Sequence, residues 1–336
     1  MIMGLRVVYR WGVLVAAWLL VASCTSGHAP SDGGSRVTGL PAPGVDHGTL
    51  WLLAGSTPTS ANVFRVRLAN GRVEQVTRNA EGRGISWLSA SPRGIVVADG
   101  SRGTDRIGVL NPRDGRITPL DTGDERTTTW YTPAISPDGA VAFARAVWPN
   151  ISQNGPPPPE PTPKSAAPRP RDPPTWELVV SEPGRQTLAV VYRARPTLAA
   201  PVWGPGGALA FIESPGMQGR DVQPSVRVLD RDRQPSAAYP LPLSHASSLV
   251  WSSNDGTPLA ATDSTGSTVL LNVRDGTTRV LPAGWVGLCW SPSGDRLLVG
   301  QGARLGLVSA TRPHEVAELG RFDRGQVYQC GWVDEE

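Results

Sequence analysis

Short apolar runs separated by polar turns follow one another along most of this 336-residue chain. One phrase recurs, in which an apolar run, usually ending in Trp, meets a turn of Ser, Pro, Asp and Gly. Its copies are SWLSASPRG at 86–94, PAISPDG at 133–139, PVWGPGG at 201–207, LVWSSNDG at 249–256 and GLCWSPSG at 287–294. Such repetition is typical of proteins built from one repeated structural unit.

The runs that follow each phrase come in a constant order. A second apolar strand and a third strand are followed by a tight turn, as at Asp114-Gly115 and Asp275-Gly276, and then by a short fourth strand. Glycine tolerates the positive φ that such hairpin turns require. Four antiparallel strands in sequence form one blade of a β-propeller. We find no segment with the apolar spacing of three and four that a buried helix needs.

The two ends of the repeat region are incomplete and complement each other. Residues 49–77 contain only the last three strands of a blade, whereas residues 327–333 contain only a first strand, with Trp332 at the Trp position. Joined, they make a sixth blade and leave no open edge in the ring. We therefore predict an all-β, six-bladed β-propeller over residues 47–336, closed by the C-terminal strand joining the N-terminal blade.

The phrase resembles the motif of the TolB-type and wider WD-like six-bladed propeller families, in which an inner strand ends in W-S-P-D-G. WSPSG at 290–294 and SPDG at 136–139 match best, while residues 203–207 and 251–256 match more loosely. The resemblance covers about 47–333. It implies the fold and leaves the activity open, because such blades carry many functions.

The N-terminus has the pattern of an export signal. Arg6 and Arg10 precede an apolar run from Trp11 to Leu20 and a small-residue site, VASC. The site resembles the lipobox of bacterial lipoproteins of an actinobacterial type, and the composition, with Lys164 as the only lysine, indicates a GC-rich codon bias. We expect a signal peptide at 1–23, acylation of Cys24 and a flexible tether over 24–46. The alternative is an ordinary signal peptide that contains a Cys.

Charge and chemistry narrow the functions further. The formal net charge is only +3, and we expect no nucleic-acid partner. The four histidines, His28, His47, His245 and His314, lack the paired spacing of a metal site. Turn residues such as Asp138, Asp255 and Ser291 recur because they set turn geometry. No catalytic residue, metal or cofactor is assigned, and whether the chain is an enzyme stays open.

Two cysteines fall in the predicted inner strands of neighbouring blades. Cys289 and Cys330 each lie within two positions of the blade Trp, and in an exported protein such a pair is a disulfide candidate. The alternative is that both are small buried apolar residues, since their offsets from Trp differ by one. A bulge at Gly331 would restore the register.

Two insertions interrupt the repeat. Residues 149–174 are rich in proline and separate a second strand from a third, and 214–224 occupy the equivalent loop of the next blade. Both should leave the same face of the ring. Candidate binding residues are Pro156, Pro157, Pro158, Pro159, Pro161, Arg169, Arg171 and Arg220. The alternative is a Pro-rich loop without a partner.

These observations favour a binding or assembly scaffold, lipid-anchored to the outer face of the plasma membrane, whose partner is an envelope protein, a peptide or a cell-wall glycan. The alternative is a hydrolase, a lyase or a small-ligand sensor with its site in the central channel. A channel enzyme should bring two or three carboxylates or histidines together at one mouth.

Overall fold

The computed structural model describes residues 37, 39–40, 47–79, 84–99, 106–120, 128–148, 173–183, 187–214, 223–252 and 254–334. They form six antiparallel sheets of four strands each, which are the blades of a propeller. The predicted all-β, six-bladed ring is confirmed. The described part of the chain contains no helix with the length and apolarity needed to span a bilayer.

The strands are numbered along the chain, and their bounds are as follows. Blade 1 contains β1 (Thr49–Gly55), β2 (Asn62–Arg67) and β3 (Arg72–Gln75); blade 2 contains β4 (Ile85–Ser91), β5 (Gly94–Asp99), β6 (Arg106–Leu110) and β7 (Ile117–Pro119); blade 3 contains β8 (Thr128–Ile135), β9 (Val141–Val147), β10 (Thr175–Ser181) and β11 (Leu188–Ala194); blade 4 contains β12 (Thr197–Trp203), β13 (Leu209–Ser214), β14 (Ser225–Leu229) and β15 (Pro235–Pro240); blade 5 contains β16 (Ala246–Val250), β17 (Leu259–Asp263), β18 (Thr268–Leu271) and β19 (Thr278–Val280); blade 6 contains β20 (Val286–Trp290), β21 (Arg296–Gln301), β22 (Arg304–Ser309) and β23 (Arg312–Arg321); β24 (Gln326–Val333) completes blade 1.

The ring closes as the sequence predicts. Strand β24 pairs antiparallel with β1, from Thr49 opposite Val333 to Gly55 opposite Gln326. The inner strands β24, β4, β8, β12, β16 and β20 contact one another in that order, and β20 returns to β24. Blades 1 and 6 are therefore neighbours, and we call their boundary the seam. Blades 3 and 4 lie on the opposite side of the ring.

The core lies between the blades. The second strands β1 and β17 are buried along their whole length, because neighbouring blades cover both of their faces. This explains why they read as continuous apolar runs rather than as alternating ones. At the seam, the rings of Phe64 and Phe322 meet edge to face, with centroids 5.2 Å apart.

Two tryptophans of the repeated phrase donate hydrogen bonds to the preceding blade. Trp203 Nε1 donates to the Ala134 carbonyl of the preceding blade at 3.2 Å, and Trp290 Nε1 donates to the Val250 carbonyl at 3.3 Å. The looser phrase at 203–207 has a packing reason. A Cβ on Gly204 would lie 2.2 Å from the Trp251 ring, so only glycine fits under that indole.

The pairing of every inner strand with its second strand contains a register shift, which lies at the start of β4 and β16 and further along the other inner strands. In β24 the shift falls at Tyr328, so the predicted bulge at Gly331 is wrong. Gly331 pairs regularly with Trp51, and a Cβ on it would lie 2.5 Å from the Ala90 Cβ. Its role is therefore to let β24 approach β4 closely.

The predicted tether is not free along all of 24–46. The Val37 side chain is 1% exposed and belongs to the core cluster at the seam. Its N–H donates to the Gly71 carbonyl at 3.2 Å, and Leu40 packs against the same cluster. Apolar burial explains this correction, because Val37 and Leu40 find a groove that the local, linker-like composition does not reveal.

Candidate binding face

The strand ends define two faces of the ring. The second strands end, and the third strands begin, at one of them, which we call the insertion face. Val147 at the end of β9 pairs with Thr175 at the start of β10, and β13 ends at Ser214 before β14 begins at Ser225. Both insertions therefore join strand ends at this face, from the adjacent blades 3 and 4.

The candidate residues within the insertions are outside the described part of the chain. This applies to Pro156, Pro157, Pro158, Pro159, Pro161, Arg169, Arg171 and Arg220, and also to Cys24. The structure therefore locates the ends of the insertions and does not test the residues themselves.

A row of charged side chains crosses blade 3 close to the insertion. Glu177 of β10 is opposite Arg145 of β9 and opposite Arg193 of β11. Arg145 Nη2 lies 2.6 Å from Glu177 Oε2, and Arg193 Nε lies 2.9 Å from Glu177 Oε1. The Glu177 side chain is only 9% exposed. Guanidinium groups of the same blade contact both of its oxygens and compensate the buried charge.

A second carboxylate continues this row into blade 4. Glu213 of β13 accepts a hydrogen bond from Arg227 of β14, and it also accepts one from the Tyr192 hydroxyl of blade 3 at 3.2 Å. The Tyr192 ring lies 5.0 Å from that of Phe211. These contacts join the two insertion-bearing blades through both a polar and an aromatic interaction.

The contacts with Glu213 change the pKa values of Tyr192 and Arg227. Burial raises the pKa of Tyr192, and the nearby Glu213 charge raises it further. The hydrogen bond from Arg227 to Glu213 raises the pKa of Arg227. The hydroxyl therefore stays protonated at neutral pH and continues to donate to Glu213.

The five charged groups carry a formal excess of one positive charge, from three arginines and two glutamates. The Arg193 side chain is 67% exposed, whereas that of Arg145 is 18% exposed. Arg193 thus presents guanidinium N–H groups to solvent while Glu177 fixes its orientation. Carbonyl and carboxylate oxygens of a peptide are suitable acceptors for such donors.

This array was not identified from the sequence. Its three members in blade 3, Arg145, Glu177 and Arg193, lie in the separated strands AVAFARA, TWELVVS and LAVVYRA, and their charges come together only through strand register. The one available signal is a single charge in each otherwise apolar strand of the blade that carries the long insertion. A charge in that position requires a partner if the strand is buried.

The central channel has a different chemistry. Trp87 of β4 packs against the core cluster of blades 4 and 5, so its indole reaches across the axis. A cavity of about 270 Å³ lies in the channel and is lined by the inner strands. Of its described lining residues, Asp334 is the only carboxylate, and none is a histidine.

No group of three or more His, Cys, Asp or Glu residues suited to a metal ion occurs in the described ranges. The turn hydroxyls are also engaged: Ser291 Oγ lies 2.9 Å from Asp295 Oδ1 and accepts from the Arg296 N–H at 3.1 Å. The converging acids expected of a channel hydrolase or lyase are thus not found among the described lining residues.

The two cysteines meet at the inner side of the seam. Cys289 of β20 and Cys330 of β24 form a disulfide, with Cα atoms 5.5 Å apart. Both residues are less than 10% exposed, at 6% and 7%. The bond links blade 6 to the closing strand of blade 1.

A side-chain bond extends this link into blade 2. Gln329 Oε1 accepts from the Leu88 N–H at 2.7 Å. The closing strand is therefore tied to the blade on each side of it.

Comparison with known proteins gives the fold without a family. No protein-family profile matches the chain, and no curated protein matches it. The structure of TolB from Acinetobacter baumannii is similar, with a TM-score of 0.60 and 15% identity over 88% of this chain and 68% of the TolB chain.

Two further structures are similar. A chain of a nidogen/laminin complex has a TM-score of 0.55 and 13% identity over 85% of this chain and 97% of its own. A protein of unknown function from Bacteroides caccae has a TM-score of 0.51 and 12% identity over 86% of this chain and all of its own, 100%. At these identities the likeness establishes a shared propeller fold, with TolB among its structural neighbours.

Proposed function

We propose that this chain is an exported, lipid-anchored propeller that binds an envelope protein or peptide through the insertion face of blades 3 and 4. One observation carries the proposal: two insertions in adjacent blades join strand ends at the same face, beside a charged row that includes the exposed Arg193. Rigid scaffolds commonly present binding residues on such loops.

The proposed recognition is non-covalent. The proline run at 156–161 has few conformations to lose, so capture in a groove costs it little entropy. Arg193 supplies hydrogen-bond donors close to the strand ends that the long insertion joins, and the Tyr192–Glu213 hydrogen bond links blades 3 and 4. The structural neighbour from a nidogen/laminin complex belongs to an assembly of proteins, which is consistent with a protein partner here.

The proposed function includes attachment of the protein to a membrane. Acylation of Cys24 would hold the ring at the outer face of the plasma membrane. A flotation assay with the Cys24→Ser variant checks this directly: the variant should leave the membrane fraction, whereas retention would contradict the anchor.

The binding test is co-purification from membranes. We expect a specific partner to be recovered with the intact chain and lost when residues 149–174 are replaced by a short Gly-Ser link. A second variant has the 26 residues of this segment in scrambled order, so that its length and composition are unchanged. It should also lose the partner. An unchanged set of partners in both variants would contradict the proposal, and recovery of a glycan instead of a protein would replace the proposed partner class.

A further inference from the structure

The described residues Val37, Gly39 and Leu40 form a small docked unit, which we call the latch. The Leu40 N–H donates to the Val37 carbonyl at 3.3 Å and closes a four-residue turn with Gly39 in its third position. Gly39 has φ of +98°, and a Cβ there would lie 1.6 Å from the Leu319 carbonyl oxygen. The turn therefore fits its site only with glycine at this position.

The latch contacts both sides of the seam. On blade 1, Val37 bonds to the Gly71 carbonyl, and a Cβ on Gly71 would lie 2.9 Å from the Leu40 carbonyl oxygen. On blade 6, Gly39 faces Leu319 at the end of β23. The latch thus bridges the outer side of the same boundary that the disulfide joins on the inner side.

The position of the latch relative to the insertions is fixed by the order of the blades. The seam separates blades 1 and 6, whereas the insertions interrupt blades 3 and 4, diametrically across the ring. The Gly71 turn joins β2 to β3 at the face opposite the insertion face, whereas Leu319 lies near the end of β23 that reaches the insertion face, so the latch runs along the outer rim of the seam. Val37, the first described residue of the latch, therefore lies at the boundary across the ring from the insertion-bearing blades.

We propose that the latch docks the anchor chain on the seam and thereby orients the ring on the membrane, with the seam near the bilayer and the insertion-bearing blades facing away from it. The orientation rests on the proposed anchor at Cys24. From Cys24 to Val37 the chain spans at most about 45 Å, whereas release of the latch would extend the reach to His47, at most about 80 Å. Docking thus shortens the anchor and gives it a defined exit point.

The first test measures the latch independently of any anchor. The purified mature protein, taken from whichever fraction contains it, is compared with Gly39→Ala and with Gly302→Ala by hydrogen exchange. Gly302 has a similar positive φ, of +62°, but its Cβ would meet nothing within 4 Å. We expect the Val37 amide to exchange at least tenfold faster in Gly39→Ala and at the wild-type rate in Gly302→Ala. Exchange of Val37 at the unprotected rate in the wild type would overturn the latch.

The second test measures orientation on vesicles. A fluorophore is placed at Arg312 of blade 6, one of the two blades that form the seam, or at Arg195 between blades 3 and 4, and energy transfer to an acceptor in the bilayer surface is compared. Both positions are exposed. We expect stronger transfer from position 312, with the difference reduced by Gly39→Ala. Equal transfer in the wild type would overturn the orientation.

Failure of the anchor gives a separate result. Without an acylated Cys24, the protein would not float with the vesicles at all. That outcome refutes the orientation together with the anchor, and the exchange rates still decide the latch.

Discussion

The seam and the insertion side of the ring are built in different ways. At the seam, β24 completes blade 1 by pairing with β1, and a disulfide, the Phe64–Phe322 contact and the latch hold blades 1 and 6 together. Across the ring, blades 3 and 4 meet through Tyr192, Glu213 and Phe211, and carry the two insertions. The boundary that a circular fold must close is reinforced covalently, whereas the boundary away from it accommodates extra chain.

Removing the closing strand should have the largest effect. Deletion of residues 327–336 removes the pairing partner of β1 and the buried side chains of Val327, Cys330 and Val333. Burial of one such side chain is worth about 1.5–3 kcal/mol, so their sum approaches the whole stability of a typical domain. We expect no cooperative thermal transition by circular dichroism. Deletion of 335–336 alone is the control, and a normal transition in the longer deletion would refute the closure.

Loss of the disulfide should weaken the seam by a smaller amount. The bond closes a loop with a sequence separation of 41, for which chain entropy gives about 4 kcal/mol. Cys289→Ser with Cys330→Ser should lower the free energy of unfolding by about this amount in urea titrations. Alkylation of both thiols in the native protein without a reductant would show instead that no bond forms.

On the insertion side, Glu177→Gln should destabilise blade 3. The substitution leaves Arg145, whose side chain is 18% exposed, without its anionic partner. Loss of one member of a buried ion pair costs about 3 kcal/mol. The matched control is Glu74→Gln, which breaks the Arg65 pair of blade 1, where the glutamate is 51% exposed. That change should stay within about 1 kcal/mol, and equal losses in urea denaturation would contradict the buried role of Glu177.

A pH effect should arise at the closing strand. Burial raises the pKa of Tyr328 to about 12. Because the unfolded chain releases this proton near pH 10, the contribution of Tyr328 is present below about pH 10 and is lost as the pH rises towards 12. Unfolding curves at pH 8 and pH 11 should therefore differ more in the wild type than in Tyr328→Phe. An equal pH dependence in both would exclude this contribution.

The sequence predicted most of the ring because its signals are local. Strand β10 begins at Thr175, directly after the predicted insertion 149–174, and the split blade at the chain ends was recognised from its missing strands. The latch was missed because its groove is formed by residues such as Leu319, far away in sequence. The Arg145–Glu177–Arg193 row was missed for the same reason, since it depends on strand register.

Two single glycines also depend on contacts between residues far apart in sequence, which the sequence pattern does not reveal. Gly204 departs from the repeated phrase because the Trp251 ring occupies the space of its Cβ, a contact between neighbouring blades. Gly331 resembles a bulge in the sequence and instead permits close packing against Ala90. A repeat motif predicts the unit, but the contacts between units decide its exceptions.

The contrast between the two sides can be tested by site-specific photo-crosslinking in cells. A photoreactive residue at Arg195 lies between the insertion-bearing blades, and one at Arg312 lies on blade 6, away from both insertions. We expect a discrete adduct with a protein from position 195 and none of that mass from position 312. Adducts from position 312 alone, or the same adduct from both positions, would contradict binding at the insertion face.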